Sequence, residues 1–249
     1  MKKILKSVIS LSLVITCSLT VSAQKIMKLD KALKANSQPM EAKRKGVSTL
    51  GKYQFGPYKI VSGKTGWTTS KSSKRFFSFE SETESKKKSS FVFVANDKDS
   101  VLVNTATNTK AKETSIGNWS NLNQSNDNYI VLISTTKDST EWKMFVTYDS
   151  GSEVEGNFQS GGTLTDGTTN VEIRAVRVWE DGGEAVFKMI IGYEFYLDNQ
   201  AVGAVQASVD TLKKKYVWLD QNLSEQLKMI LATASASLLL HVDDEMAKN

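Results

Sequence analysis

From Tyr53 to about Gln206, apolar and polar residues alternate in short runs, the period-two signature of strands with one packed and one wet face. Phe77, Phe79 and Ser81 alternate with Phe76, Ser78 and Glu80, and Phe91 and Phe93 repeat the pattern. Eleven runs stand out: Tyr53–Val61, Phe76–Glu82, Ser90–Ala95, Val101–Ala106, Tyr129–Thr135, Trp142–Asp149, Ser152–Phe158, Val171–Trp179, Ala185–Ile191, Tyr193–Leu197 and Ala201–Ala207. Asp149-Ser150-Gly151, Glu180-Asp181-Gly182-Gly183 and Asp198-Asn199-Gln200 join runs with residues that tolerate positive φ, which predicts hairpins and antiparallel sheet. Lys71–Arg75 and Ser85–Ser90 read as basic, Ser-rich connections. Thr107–Asn128 reads as a long Asn-, Ser- and Thr-rich loop pinned by Ile116, Trp119 and Leu122.

Two segments carry a helical pattern instead. Ile26, Leu29 and Leu33 share one face of a short amphipathic helix expected over Gln24–Ala35, which Asn36-Ser37-Gln38-Pro39 would end. Met40–Gly51 then has the composition of a linker around the run Lys43-Arg44-Lys45. Near the other terminus, Ser224 is a good N-cap, and no Gly or Pro follows from Glu225 to about Val242. From Met229 to Leu240 no residue is charged, and apolar side chains point in nearly every direction, so this helix must be surrounded. Its uncharged stretch is short for a bilayer span, which favours burial within the protein. Asp243, Asp244 and Glu245 place acid at the unfavourable end of the helix dipole, a cost relieved by solvent or by pairing with the basic N-terminal arm. The expected fold is therefore mainly β: an antiparallel barrel or strongly curled sheet of about 11 strands around a buried hydrophobic C-terminal helix.

The first residues read as a cleavable export signal. Lys2, Lys3 and Lys6 precede an apolar run from Val8 to Leu19, and Val21-Ser22-Ala23 supplies small residues for cleavage. That run is too short to span a membrane comfortably. Processing as a lipoprotein at Cys17 is the alternative, although Val14-Ile15-Thr16 lacks the small residues usual before such a cysteine. The expected organisation is a signal over residues 1–23, a basic helix and linker over 24–51 and one β-rich domain over 52–249. The destination is the periplasm or the cell exterior.

Charge changes the picture modestly. The formal net charge of +5 includes the three signal lysines, so the mature chain is near neutral and nucleic acid is not implied. The basic excess is concentrated before Tyr53, either as a solvated arm or as an anchor for anionic lipid or another acidic polymer. Cys17 is the single cysteine and His241 the single histidine. A mature chain cut after Ala23 therefore has no disulfides, thiol nucleophiles or cysteine-based zinc sites, and no metal site with two imidazoles. No cofactor is expected.

Few residues point to chemistry. His241 ends an apolar helix, where a packed or capping imidazole is a simpler reading than a general base, and no nucleophile elbow or phosphate loop occurs. Glu80, Glu82 and Glu84, and Glu153 with Glu155, have the spacing of paired acids in glycan hydrolysis, and also that of any charged outer sheet face. Asp97, Asp99, Asn126–Asn128 and Asp166 could offer oxygen ligands to calcium, without the spacing of a calcium loop. Of Trp67, Trp119, Trp142, Trp179 and Trp218, Trp119 and Trp67 are the candidate ligand contacts, Trp119 because its polar surroundings do not demand it for packing.

The hairpin Glu194-Phe195-Tyr196-Leu197-Asp198-Asn199-Gln200-Ala201-Val202-Gly203, the strand-like Tyr216-Val217-Trp218-Leu219 and the small- and leucine-rich helix with acidic end resemble the tubby-like barrel superfamily, which includes scramblase-like proteins. The resemblance covers roughly Tyr193 to Asp244. It implies a barrel around a helix, and carries no lipid-site residue onto this chain. Three functions remain in play: an exported non-enzymatic protein that binds an envelope ligand, lipid or glycan; a carrier of lipid or another apolar ligand in space beside the helix; and a glycan hydrolase using Glu82 and Glu155.

Overall fold

The computed structural model describes residues 25–45, 52–66, 68–74, 80–116, 119–135, 140–149, 161–185, 189–207 and 214–246. The expected signal at 1–23 and the expected strand over Ser152–Phe158 lie outside them. Thirteen strands form one sheet: β1 (Met40–Lys45), β2 (Lys52–Phe55), β3 (Tyr58–Thr65), β4 (Thr69–Lys74), β5 (Glu80–Ala95), β6 (Asp99–Ile116), β7 (Trp119–Thr135), β8 (Glu141–Asp149), β9 (Gly161–Thr165), β10 (Asn170–Val176), β11 (Gly192–Leu197), β12 (Gln200–Gln206) and β13 (Lys215–Leu219). Helix α1 (Lys31–Asn36) precedes them and α2 (Glu225–Met246) follows. The sheet runs β3-β2-β1-β13-β12-β11-β10-β9-β8-β7-β6-β5, and antiparallel pairing of β3 with β5 closes it into a 12-stranded barrel. Closure removes the free edges that an open sheet must protect. β4 stays outside the ring and pairs along the part of β5 that β3 leaves.

Alternation decides what faces the lumen. Phe91, Phe93, Val101, Val103, Tyr129, Val131, Ile133, Trp142, Met144 and Val146 are all buried, whereas their neighbours Leu102, Ile130 and Phe145 are exposed. The inward set packs on α2, whose residues from Met229 to His241 are at most 8% exposed in every direction around the axis. The apolar-all-round pattern is thus that of a helix enclosed by its own sheet. Three buried hydroxyls are satisfied within α2 itself: Thr233, Ser235 and Ser237 donate to the carbonyls of Met229, Leu231 and Thr233 at 2.7, 2.8 and 2.9 Å. Ser224 caps α2 by accepting from the Leu227 amide at 3.2 Å.

Several expected elements are shaped differently. Tyr53–Val61 is two strands, because Gly56 at φ +51° turns the chain between β2 and β3. Thr107–Asn128 is no loop: its described residues are the outer halves of β6 and β7, in register from Thr107↔Tyr129 to Ile116↔Trp119. The basic, Ser-rich connections become β4 and part of β5. These strands are polar in sequence and pair through backbone bonds, so alternation does not announce them. Over Ala185–Ile191 the described residues form no strand; Glu184 makes an isolated bridge to Val178, and Ile191 donates to the Val176 carbonyl at 2.8 Å.

The N-terminal arm is built into the barrel. The expected helix over Gln24–Ala35 shortens to Lys31–Asn36, with Asp30 as its cap, and the expected linker holds β1, paired to both β13 and β2. Met27 and Leu33, both fully buried, join Trp179, Ile191, Ala201, Ala204 and Trp218 in a second apolar cluster. Buried Gln206 fastens this segment: its Oε1 accepts from the Met27 amide at 2.9 Å, and its Nε2 donates to the Lys25 and Lys214 carbonyls at 3.3 and 3.2 Å. Buried Glu194 accepts from the Asp30 amide at 2.6 Å. Apolar spacing picks out Ile26, Leu29 and Leu33, of which Leu33 is buried and the other two are partly so, while the buried Met27 lies off that pattern, and nothing local says that a glutamine and a glutamate will hold the segment.

Candidate functional site

The barrel mouth at the C-terminal end of α2 holds a cluster of charges from four elements. Asp243 accepts from the Tyr53 hydroxyl at 2.7 Å, forms an ion pair with Lys215 and lies 3.6 Å from Arg44. Lys215 also donates to the Tyr53 hydroxyl at 2.9 Å. Asp244 pairs with Lys87 at 2.7 Å. The acidic helix end is thus neutralised by cations from β1, β5 and β13, and Arg44 comes from the basic N-terminal segment. Burial, reinforced by the charge of Asp243, pushes the Tyr53 hydroxyl well above the usual phenol range. One turn earlier, the buried His241 ring stacks on Tyr129, centroids 4.2 Å apart, and the Tyr129 hydroxyl donates to the Ser237 carbonyl at 3.0 Å. His241 therefore sits as a packed ring between helix and wall.

The pleat of β1 divides the Lys43-Arg44-Lys45 run. Arg44 reaches the helix end, while Lys43 and Lys45 are exposed on the outer face. Lys45 stands directly opposite Lys52, also exposed, and Lys43 opposite Gln54. On the other side of β1, Lys215 stands opposite Ala42, and the preceding Lys214 pairs with Glu41 at 3.5 Å. The outer surface of β1 and β2 in consequence carries a row of lysines with Lys214 at its edge, whereas Lys215 turns inward to Asp243 and the outward residues of β13 are Tyr216, opposite Glu41, and Trp218. Elsewhere on the outside, Ile130 and Phe145, 39% and 43% exposed, stand opposite one another across β7 and β8, and Leu102, 46% exposed, stands opposite Ser134.

Trp119 opens β7 opposite Ile116 rather than sitting in a loop, and its side chain lies outside the description, as does all of Trp67. Trp142, Trp179 and Trp218 are buried packing residues. Glu82 lies in register with Lys112 on one side and Ser73 on the other, while Glu153 and Glu155 fall outside the described residues. Asp166 accepts from the Thr168 and Thr169 amides at 2.9 and 2.7 Å, a turn geometry in which those amides hold its carboxyl below the usual range. Asp97 pairs with Lys59 at 2.6 Å. Among the described residues, no group of three or more His, Asp or Glu side chains could hold a metal ion, and no helix is long and apolar enough to cross a membrane.

Pairing of the acidic helix end with the basic N-terminal arm is the relief the sequence led one to expect, and Arg44 beside Asp243 supplies it; Tyr53, Lys215 and Lys87 in the mouth, and the lysine row, were hidden because they join residues far apart in the chain. The signal that could have found them was the acidic helix end, which needed cations, beside an excess of lysine before Tyr53. Comparison of the chain with protein-family models, with curated proteins and with solved structures finds no match in any of the three.

Proposed function

We propose that this chain is an exported, non-enzymatic protein that binds a component of the cell envelope on the outside of its barrel rather than in its lumen. The observation that carries this reading is the enclosure of α2: residues Met229 to His241 are at most 8% exposed, so helix side chains fill the interior that a carrier would keep for its cargo. Binding then falls to the outer surface, where charged and apolar groups are offered to solvent. The tubby-like resemblance enters as a proposal about fold kinship, and no ligand is taken from it.

The test is to purify the protein from its own host and examine it in two ways. Native mass spectrometry should show the bare chain mass, and the protein should sediment with one fraction of the host's envelope. Stoichiometric co-purified lipid would revive the carrier, and failure to sediment with every envelope fraction would overturn the proposal.

A further inference from the structure

We infer that the lysine row on the outer face of β1 and β2, with Lys214 at its edge, is a docking surface for a linear acidic polysaccharide, a deepening that rests on the envelope-binding reading above. Lys45 and Lys52 stand directly opposite one another on neighbouring strands, both exposed. Like charges in that position, with Cβ atoms about 5 Å apart, weaken a sheet. Folding alone would favour an acid at one of the two. Lys43 continues the row two residues along β1, roughly 6.6 Å away, and Lys214 flanks it from the β13 side. Among the described residues no carboxylate pairs with Lys43, Lys45 or Lys52, whereas the acids nearby are engaged: Asp243 with Lys215 and Arg44, Asp244 with Lys87, Glu41 with Lys214.

The chemistry of the face selects among polyanions. The outward residues of β1 and β2 are Glu41, Lys43, Lys45, Lys52 and Gln54, with no apolar side chain to enter a bilayer, while the rings on the same side of β13, Tyr216 and Trp218, pack on one another 5.7 Å apart as part of the second apolar cluster. Lysines are mobile point charges, suited to successive carboxylates along a flexible chain rather than to bidentate capture of one group. A row of lysines on a hydrophilic stretch of barrel wall matches a polymer bearing a carboxylate at each unit or every second unit.

Polygalacturonate is the probe, with uncharged dextran and phosphatidylglycerol vesicles beside it. The whole protein should bind polygalacturonate with an affinity that falls as salt is added, and should bind neither dextran nor vesicles. Lys52→Glu should weaken polygalacturonate binding by about tenfold at low salt. The same change places opposite charges across β1 and β2, so its melting temperature should match or exceed that of the parent protein, which separates lost binding from lost fold. Lys45→Gln, neutral and without a new ion pair, should weaken binding in the same direction. Unchanged affinity in both variants, competition by dextran, or tighter lysine-dependent binding to the vesicles would overturn the inference. If both variants still sediment with the host's envelope fraction as the parent does, this surface fails while envelope binding stands.

Discussion

Asp243 accepts a hydrogen bond from the Tyr53 hydroxyl at 2.7 Å, tying the last turn of the enclosed helix to the second strand of the barrel, 190 residues earlier in the chain. Lys215 joins both partners, and its side chain and that of Asp243 are only 11% and 12% exposed. A charge pair so little exposed is costly to break on one side, because the surviving charge stays desolvated. Asp243→Asn should therefore destabilise the protein by about 1–3 kcal/mol, and Tyr53→Phe by about 1 kcal/mol. Denaturant midpoints at constant slope would check both, and parity of Asp243→Asn with the parent would show that the mouth cluster is solvated.

The pleat makes a sharper claim about adjacent residues. Val103 is fully buried against the lumen, while Leu102 beside it is 46% exposed. Val103→Ala should cost about 1–3 kcal/mol through the cavity it leaves, and Leu102→Thr should stay within about 0.5 kcal/mol. Equal costs would mean that the strand is rotated or its register slipped by one residue. In the helix, Leu239→Ala should cost more still, about 2–5 kcal/mol.

Docking of the N-terminal segment depends on one polar side chain. Gln206 is fully buried and serves three backbone groups, so Gln206→Ala leaves the Met27 amide and two carbonyls without that partner. A loss of about 1–3 kcal/mol is expected. Hydrogen exchange should rise first at Met27 and Lys28, before the barrel strands open. Gly192→Ala should loosen the same place by a different route, since a Cβ there would lie 2.1 Å from the Val205 carbonyl oxygen and 2.5 Å from the Met27 sulfur. Uniform exchange in both variants would mean that the segment and the barrel open as one unit.

Those contrasts mark where sequence reading reaches its limit. The barrel, its enclosed helix and strands such as β8, β10, β11 and β12 follow from alternation and turn chemistry, because each buries a face whose residues announce it. β1, β4 and the outer halves of β6 and β7 were legible only as linker or loop, since residues such as Ser70, Lys71, Asn108 and Asn126 pair by backbone bonds that any side chain permits. The candidate surface was less legible again. A run of three basic residues shows a local excess, but only the pleat sends Arg44 to the helix and Lys43 and Lys45 outward, and only the β1–β2 register sets Lys45 against Lys52.

Alkali supplies a test of burial that needs no substitution. Burial, followed by the nearby charge of Glu225, pushes the Tyr58 hydroxyl up to about 12. Burial, then the hydrogen bond it donates to Glu194 and the charges of Glu194 and Asp30, does the same for Tyr196, also to about 12. The ordinary phenol value is 10.0, so between the two values the folded chain holds protons that the unfolded chain has released. Stability from these groups is present in full below pH 10, declines as the pH rises towards 12, and is spent above it. Tyrosinate absorbance of the native protein should lag that of the urea-unfolded chain across this window, and the denaturant midpoint should fall through it. Coincident titration of the two states would mean that the phenols of Tyr58 and Tyr196 are open to water, and the packing that places Tyr58 under the helix N-terminus and Tyr196 beside the N-terminal segment would have to be redrawn.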